Sequence, residues 1–191
     1  VYNDYKTLIA SAELDVIFIS LPNQFAAEAA CLSLQKGLHV FCEKPPARTH
    51  AELLEVEKQS LKFPELKLMY GFNHRFHLSV EEAKSLIDSN SLGRLINMKG
   101  VYGKSQMISF NQTDWRTDRE ASGGGILLDQ GIHMLDLMRY LSGENFTDVF
   151  SIIDNAFWNF DVEDNAYVLM KSPKGLVAQL HPSATQWRHV F

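Results

Sequence analysis

Asp15-Val-Ile-Phe-Ile-Ser20 is a short, continuously apolar run rich in β-branched residues, which is typical of a strand covered on both faces. A turn at Pro22-Asn23 follows it, and the Ala-rich segment from Gln24 to Lys36 has apolar positions at helical spacing. Gly37 suits the end of that helix, because glycine readily adopts the left-handed conformation at a helix C-terminus. The stretch therefore predicts a strand followed by a crossover helix.

The same alternation continues along the next part of the chain. A second strand is predicted over Leu38–Cys42, before a break at Pro45-Pro46. Thr49, with Glu52 three residues later, has the pattern of a capping box and predicts a second helix that runs to about Leu61. A third strand is predicted over Leu66–Phe72. Strands that alternate with helices in this way predict a parallel, doubly wound α/β sheet.

The pattern changes after His74, where longer strands and turn signals follow a helix. From Phe146 onward, apolar stretches alternate with turns such as Ser172-Pro-Lys-Gly175, which favours antiparallel hairpins. The second half is therefore predicted to be α+β with a mostly antiparallel sheet, and a domain boundary is expected between residues 73 and 74. Between His74 and Phe146, the predicted elements are a helix over Leu78–Ser89, a strand over Arg94–Lys104, a polar loop over Ser105–Ser122 and a helix that Gly123–Gly125 opens and that runs to about Leu141.

Composition excludes several classes of protein. The chain has 18 Lys and Arg against 23 Asp and Glu and no basic run, which argues against a nucleic-acid partner. Its apolar stretches are far shorter than the roughly 20 residues that span a bilayer. Cys31 and Cys42 lack CxxC spacing and lie in segments predicted to be core, so reduced thiols and a cytoplasmic location are expected.

Glu43-Lys44-Pro45 stands at the carboxyl end of a predicted parallel strand. Ligands of open α/β sheets bind beyond the carboxyl ends of the strands. A lysine there can hydrogen-bond a substrate hydroxyl or relay a proton. A solvated Glu-Lys pair is the alternative interpretation of this tripeptide taken alone.

Asp129, His133 and Asp136 fall on one face of a predicted helix, because offsets of four and seven return to the same side. An imidazole is the usual general base near neutral pH, and a nearby carboxylate can orient it. A structural His-Asp pair is the alternative. Two carboxylates and one histidine, with no His/Cys cluster elsewhere, match zinc-ligand spacing poorly, so no metal site is predicted.

Gly123-Gly-Gly125 precedes that helix, and three interpretations are open. Glycines at a helix start permit close backbone packing, can expose N–H groups to an anion, or can form a flexible turn. The triplet does not have GxGxxG spacing, and no preceding buried strand is predicted, so it is not a dinucleotide fingerprint.

Taken together, these motifs resemble the Gfo/Idh/MocA oxidoreductase family. The resemblance implies a partial Rossmann domain over residues 1–73, without its first β-α-β unit, and a partial α+β substrate and oligomerisation domain over residues 74–191. It also implies that the chain is truncated at both ends. The motifs that carry it, in chain order, are Val16-Ile-Phe-Ile-Ser-Leu-Pro22-Asn23, Gly37-Leu-His-Val-Phe-Cys-Glu43-Lys44-Pro45, Gly71-Phe-Asn73-His-Arg75-Phe76, Trp115-Arg116 and Gly123-Gly-Gly-Ile-Leu-Leu-Asp129-Gln-Gly131-Ile-His133-Met-Leu-Asp136.

The resemblance also implies roles for individual residues. Lys44 would lie beside the nicotinamide, Asp129 would be its acidic partner, and His133 would be the acid/base on the substrate hydroxyl. These three are expected to converge on one pocket. Ala26 stands where relatives often have His, which removes one expected cofactor contact. The other cofactor residues implied are Pro22, Asn23, Glu43 and Asn73, and the substrate-binding residues implied are Arg75, Trp115, Arg116, Trp187 and Arg188.

The implied function of the intact protein is hydride transfer between NAD or NADP and a secondary hydroxyl of a sugar or nucleotide sugar. Segment 181–189 resembles members that act in bacterial surface-polysaccharide pathways, which favours nucleotide sugars. An NAD-dependent glycosidase, and an inactive fragment with only a binding or oligomerisation role, are the alternatives. A homo-oligomer, dimer or tetramer, is implied. Because the sequence holds no GxGxxG turn, the 191-residue chain is expected to show no measurable NAD(P)H binding.

Overall fold

The computed structural model describes residues 1–107 and 114–190 of the chain. These residues fall into two compact units. The first is Val1–Gly71 together with Arg119–Gly123, and the second holds the described residues of Phe72–Asp118 and Gly124–Phe191.

The first unit is built on a parallel three-stranded sheet, as the sequence predicts. Its strands lie in the order β1-β2-β3, and α2 and α3 are the two crossover helices. All three strands are shorter than predicted, and the third loses most. The elements are α1 (Tyr5–Ser11), β1 (Val16–Ile19), α2 (Asn23–Gln35), β2 (His39–Cys42), α3 (His50–Lys62), β3 (Leu68–Tyr70) and α5 (Arg119–Ser122).

Local signals account for the helix ends of this unit. Thr49 caps α3 by accepting a hydrogen bond from the Glu52 N–H at 3.2 Å, as predicted. The Glu52 carboxylate accepts from the Arg48 N–H at 2.9 Å, one residue before the cap. Gly37, with φ 86°, follows the end of α2 in the left-handed region that glycine tolerates best.

The prediction that the first strand is covered on both faces is wrong for this chain. One face of the sheet packs into a core with α2, where Ile19, Val40 and Cys42 are buried. On the opposite face Phe18 is 72% exposed, and Val16 is exposed as well. An apolar run indicates a strand with apolar side chains on both faces, but it does not show which of those faces this chain itself covers.

The second unit carries a four-stranded mixed sheet in the order β4-β7-β6-β5. The β5–β6 and β6–β7 pairs are antiparallel and the β4–β7 pair is parallel. The predicted mostly antiparallel sheet is therefore confirmed. Its elements are a 3₁₀ turn (Asn73–Phe76), α4 (Leu78–Asp88), β4 (Asn97–Gly103), a second 3₁₀ turn (Trp115–Thr117), a π-helical segment (Leu127–Gly131), α6 (Ile132–Ser142), β5 (Asp148–Asp154), β6 (Asn165–Lys171) and β7 (Val177–Ser183).

The sheet of the second unit buries one face along β6 and β7 and exposes the other, while β5 is exposed on both faces. The buried face holds Ala166, Met170, Ala178 and Leu180, which pack with Met138 of α6. The opposite face is apolar and exposed along β5 and β6. We call it the outer face, and its exposed apolar members are Phe150, Ile152, Tyr167, Leu169 and Val177.

Two details differ from the predicted elements between residues 105 and 141. The predicted loop contains the second 3₁₀ turn and the single turn of α5, while its residues 108–113 lie outside the described residues. The predicted helix begins at Ile126, directly after the glycine triplet. It runs as a π-helix over Leu127–Gly131, which was not predicted, before it becomes α-helical.

Candidate active site

The carboxyl ends of the three parallel strands of the first unit meet at one edge. Ile19 pairs with Cys42, and Cys42 pairs with Tyr70, so the residues after them stand side by side. Glu43 donates its N–H to the Ile19 carbonyl at 2.9 Å, and the Gly71 N–H reaches the Cys42 carbonyl at 2.8 Å. The sheet register therefore brings Glu43 and Lys44 to the edge where ligands of such sheets bind.

Glu43 lies across the end of the neighbouring strand. A Cβ atom added to Gly71 would come within 3.0 Å of Glu43 Oε2. Gly71 thus leaves the space that the carboxylate occupies. Lys44 follows at the same edge, is half-buried, and is joined to Pro45 by a cis peptide bond.

Asn23, an implied cofactor residue, is buried at the start of α2. Its side-chain amide donates to the Ser122 carbonyl at 2.8 Å. Pro22 directly precedes it as the N-cap residue of that helix. The Asn23 amide therefore ties α2 to α5 within the first unit.

The glycine triplet permits close packing, which decides among its three interpretations. An added Cβ at Gly123 would lie 2.6 Å from the Arg48 Cβ. In the second unit, a Cβ at Gly125 would lie 2.0 Å from the Glu163 carbonyl oxygen. That oxygen accepts from the Ile126 N–H at 3.0 Å, and Glu163 Oε1 accepts from the Leu127 N–H at 3.2 Å. The helix start is thus bonded to Glu163, so an anion is not needed to satisfy these N–H groups.

His133 lies on α6 and is buried, 6% exposed, among aromatic rings. The imidazole of His74 is nearest, with ring centroids 4.3 Å apart and planes tilted by 37°. The Tyr102 ring is nearly parallel to His133 at 6.2 Å, and the Phe72 ring meets it edge-on at 6.2 Å. Tyr102 belongs to β4, His74 belongs to the first 3₁₀ turn, and Phe72 directly precedes that turn.

Sequence reasoning missed His74, Tyr102 and Phe72 as neighbours of His133. His74 stands inside the motif Gly71-Phe-Asn73-His-Arg75-Phe76, between two residues that were assigned roles. The presence of a histidine within this motif was the signal that could have indicated His74 as a site residue. Tyr102 gave no such signal, because an aromatic residue in a strand is more often part of a core.

Asp136, three residues after His133, is engaged by Arg75. The guanidinium Nε donates to Asp136 Oδ2 at 2.7 Å, and its Nη2 donates to the other carboxylate oxygen. This bidentate contact raises the pKa of Arg75 through hydrogen bonding to the carboxylate. The guanidinium also lies 5.0 Å from the centre of the Tyr140 ring. Arg75, an implied substrate residue, thus pairs with the helix that carries His133.

Asp129 lies within the π-helical segment, four residues before His133. Its carboxylate accepts from the Gln130 side-chain amide at 2.7 Å. Burial first, and then the negative charge of Asp129, raise the pKa of Tyr102. Asp129 and His133 therefore share Tyr102 as a neighbour, although the helix between them is π-helical in its first part.

The other predicted site residues are scattered over the second unit. The Arg116 guanidinium lies 4.5 Å from the centre of the Trp115 ring and pairs with Asp114 at 3.0 Å. Asn73 is exposed at the start of the first 3₁₀ turn. Trp187 is 99% exposed, and Arg188 is exposed beside it. The convergence of Lys44 with Asp129 and His133 stays a prediction, since Lys44 belongs to the first unit and the other two belong to the second.

Within the described residues, no group of three or more His, Cys, Asp and Glu is placed to hold a metal ion. At the strand edge the Glu43 carboxylate occupies the space beside Gly71, and a carboxylate can accept hydrogen bonds from the hydroxyls of a ribose. The implied role of Glu43 at the nicotinamide ribose stays a prediction. The sequence holds no GxGxxG segment for the pyrophosphate.

Two family descriptions match consecutive parts of this chain. Residues 1–71 match the oxidoreductase family with an NAD-binding Rossmann fold, and residues 80–190 match the GFO/IDH/MocA C-terminal domain. The chain belongs to the GFO/IDH/MocA oxidoreductase family. The expected family and fold class are confirmed.

Curated relatives in this family include several sugar dehydrogenases. The chain is 32% identical to the levoglucosan dehydrogenase of Pseudarthrobacter phenanthrenivorans over 74% of its own length and 36% of that protein. It is 33% identical to the D-glucoside 3-dehydrogenase of Escherichia coli over 75% of its length and 40% of that protein. A solved levoglucosan dehydrogenase in complex with NADH and levoglucosan superposes with a TM-score of 0.91 at 27% identity, covering 100% of this chain and 53% of the other.

The chain spans about half the length of the solved relatives that it matches, and less of the first curated ones. The relatives support NAD as the cofactor of the family, and they are sugar dehydrogenases. Within residues 1–107 and 114–190, no helix has the length and apolar character that crossing a membrane requires.

Proposed function

We propose that the whole protein transfers a hydride between NAD(P) and a secondary hydroxyl of a sugar or nucleotide sugar. Membership of an NAD-binding oxidoreductase family and similarity to sugar dehydrogenases support the reaction class. The observation that carries the proposal is His133, a buried imidazole held among aromatic rings one helical turn from an ion-paired Asp136. A fixed, desolvated imidazole is suited to act as a general base.

In this proposal His133 accepts the hydroxyl proton of the sugar. Asp129 precedes His133 by four residues, and its negative charge acts on Tyr102, a ring neighbour of His133. We propose that the same charge favours the imidazolium formed in the step. The aromatic rings of Phe72, Tyr102 and His74 exclude water from one side of the imidazole. Proton transfer by a positioned group of this kind contributes about 10²–10⁴-fold to rate.

Lys44 is proposed to stabilise the oxygen that develops negative charge while the proton leaves it. An ammonium group suits this task as a compact donor and point charge. NAD, when bound, supplies the hydride acceptor. Glu43 would hold the nicotinamide ribose, with Pro22, Asn23 and Asn73 bordering the same cofactor.

The sugar is proposed to bind against tryptophan rings and arginine guanidinium groups. Trp115 with Arg116 offers an aromatic face beside a guanidinium, which suits sugar rings and their phosphate or carboxylate groups. Trp187 and Arg188 stay candidates for the same role. Arg75 acts through Asp136 rather than only through substrate, since both of its described hydrogen bonds go to that carboxylate.

We propose a homo-oligomer, with the outer face of the second unit as the contact between two copies. On this face Phe150 pairs with Leu169 and Ile152 pairs with Tyr167 across the antiparallel strands, and all four are exposed. An exposed apolar patch of this kind can match a second copy of itself about a two-fold axis. We also propose a cytoplasmic location, because the two cysteines are free thiols and the cytoplasm is a reducing compartment.

The reaction is tested by incubating the whole protein with NAD⁺ or NADP⁺ and a panel of sugars, sugar phosphates and nucleotide sugars. NADH or NADPH absorbance and the identity of the keto product are the readouts. Reduced cofactor formed in proportion to a keto-sugar is expected. Release of a free sugar from a glycoside without net reduction would identify the glycosidase, and neither result with any substrate would contradict the proposal.

Oligomerisation is tested by light scattering after size-exclusion chromatography. The unaltered protein is expected as a dimer or larger, and Leu169→Lys on the outer face is expected to shift it toward a monomer. Leu61→Lys, at an exposed leucine of α3 in the first unit, serves as the control. A monomeric wild-type protein, or an unchanged Leu169→Lys oligomer, would contradict the proposed contact.

A further inference from the structure

The second unit contains two buried histidines in ring contact, and only His133 transfers a proton in the proposed reaction. His74 is 9% exposed and His133 is 6% exposed. Their ring centroids are 4.3 Å apart. An imidazole is the side chain whose ordinary pKa lies nearest to neutral pH, so both rings can change charge in the working range of an enzyme.

An ion pair fixes the backbone segments from which the two imidazoles project. Arg75 follows His74 in the 3₁₀ turn, and Asp136 follows His133 by three residues on α6. The bidentate contact between Arg75 and Asp136 therefore ties the turn to the helix directly beside the rings. Tyr102 of β4 lies beside both histidines. Its ring centroid is 5.9 Å from that of His74 and 6.2 Å from that of His133.

Two rings this close cannot gain protons independently. A positive charge on one imidazole disfavours a positive charge on the other, and burial reduces the screening by water. Arg75 and Asp136 carry opposite charges, so their effects on the imidazole pKa values largely cancel. The repulsion between two protonated rings is not cancelled by this ion pair. Among the described titratable and charged groups of the second unit, His77 and Tyr102 contact the histidine rings, and Arg75 and Asp136 form the ion pair beside them. Asp129 acts on Tyr102, Tyr140 lies against Arg75, and Lys84 of α4 lies against Tyr140.

We propose that His74 is a positioning residue for His133, and that the two imidazoles titrate as one coupled pair that holds a single proton near neutral pH. His74 packs against one side of the His133 ring and restrains its plane. The pair binds its second proton at a pH at least about one unit lower than the pH at which it binds the first. This inference rests on the proposed acid/base role of His133, because a pair that is half-protonated can both accept and return a proton.

The test is an NMR titration of the histidine Cε1–H groups of the chain, without substrate or cofactor. The seven histidines are assigned by single substitution. His74 and His133 are expected to move in two steps each, with shared midpoints at least about one pH unit apart, as coupled groups do. Single steps with independent midpoints in the unaltered chain would overturn the proposal, and this result needs no variant.

Two phenylalanine variants locate the coupling. His74→Phe keeps a ring against His133 and removes its charge, so His133 is expected to titrate in one step with a midpoint above the lower midpoint of the pair. His77→Phe is the matched control, because the His77 ring contacts His74 at 5.3 Å on an exposed part of the chain. His133 is expected to keep both steps in this control. An equal effect of the two substitutions would contradict the proposal.

The titration separates this inference from the proposed function. A protein that oxidises no sugar would still show the two shared midpoints if the rings are coupled. Independent titration would remove the role of His74 and leave the proposed hydride transfer standing.

Discussion

The strand edge of the first unit and the His133 helix of the second unit position their side chains by different means. At the strand edge, backbone pairing between parallel strands places Glu43 and Lys44, and little beyond sheet register is needed. Around His133, an ion pair, ring contacts and a close backbone approach at Gly125 come from residues far apart in sequence. The second region should therefore be more sensitive to single substitutions than the first.

The largest loss of stability is expected at the glycine triplet of the second unit. Gly125→Ala places a Cβ 2.0 Å from the Glu163 carbonyl oxygen, so the start of the π-helical segment must move, at about 3 kcal/mol or more. Gly143→Ala is the control, because it has positive φ but nothing within 4 Å of its Cβ, and about 1 kcal/mol is expected. Tryptophan fluorescence during urea unfolding reports on this unit, which holds all three tryptophans. Equal losses would contradict the role of close packing.

The ion pair beside His133 should respond unequally to loss of either partner. Arg75→Leu leaves the Asp136 carboxylate, 8% exposed, without its bidentate donor, and about 3 kcal/mol of unfolding free energy is expected to be lost. Asp136→Leu leaves an arginine side chain that is 40% exposed and can turn to water, at a cost of about 1 kcal/mol. The same fluorescence assay measures both variants. A larger loss for Asp136→Leu would show that the buried carboxylate is not the costly partner.

An effect as small as that of Asp136→Leu is expected in the first unit, where a local cap stabilises α3. Thr49→Ala removes the acceptor for the Glu52 N–H and should cost about 1 kcal/mol. Hydrogen exchange of the α3 amides measures the loss, and Thr49→Ser, which retains a hydroxyl acceptor, should restore most of the protection. Unchanged exchange in Thr49→Ala would mean that tertiary packing alone holds the helix end.

The same contrast explains how much the sequence predicts. Strand–helix alternation, the Thr49 cap and the Ser172–Gly175 hairpin turn depend on neighbouring residues, and all three were predicted correctly. The π-helical segment, the His74–His133 ring contact and the Arg75–Asp136 pair were not predicted. Each depends on tertiary contacts between residues that no periodicity links.

Exposure shows a further limit of sequence reasoning. The run at Val16–Ile19 predicts apolar side chains on both faces of a strand, yet Phe18 is 72% exposed. Trp187 and Arg188 were assigned to a sugar pocket by resemblance, and both are exposed at the end of the described chain. Residue type predicts what a side chain can bind, but its surroundings come from the rest of the structure.

The most direct test of the proposed function is the turnover of the whole protein with His133→Ala or Lys44→Ala, on whichever sugar the substrate panel identifies. Both variants are expected to stay folded, His133→Ala with a lowered unfolding midpoint because it removes a buried ring. Both are expected to lose at least about 100-fold in kcat, since each removes a group that acts on the substrate oxygen. His50→Ala and Lys58→Ala, at exposed positions of α3, are the matched controls and should keep wild-type turnover. Full activity in both His133→Ala and Lys44→Ala would contradict the proposed mechanism.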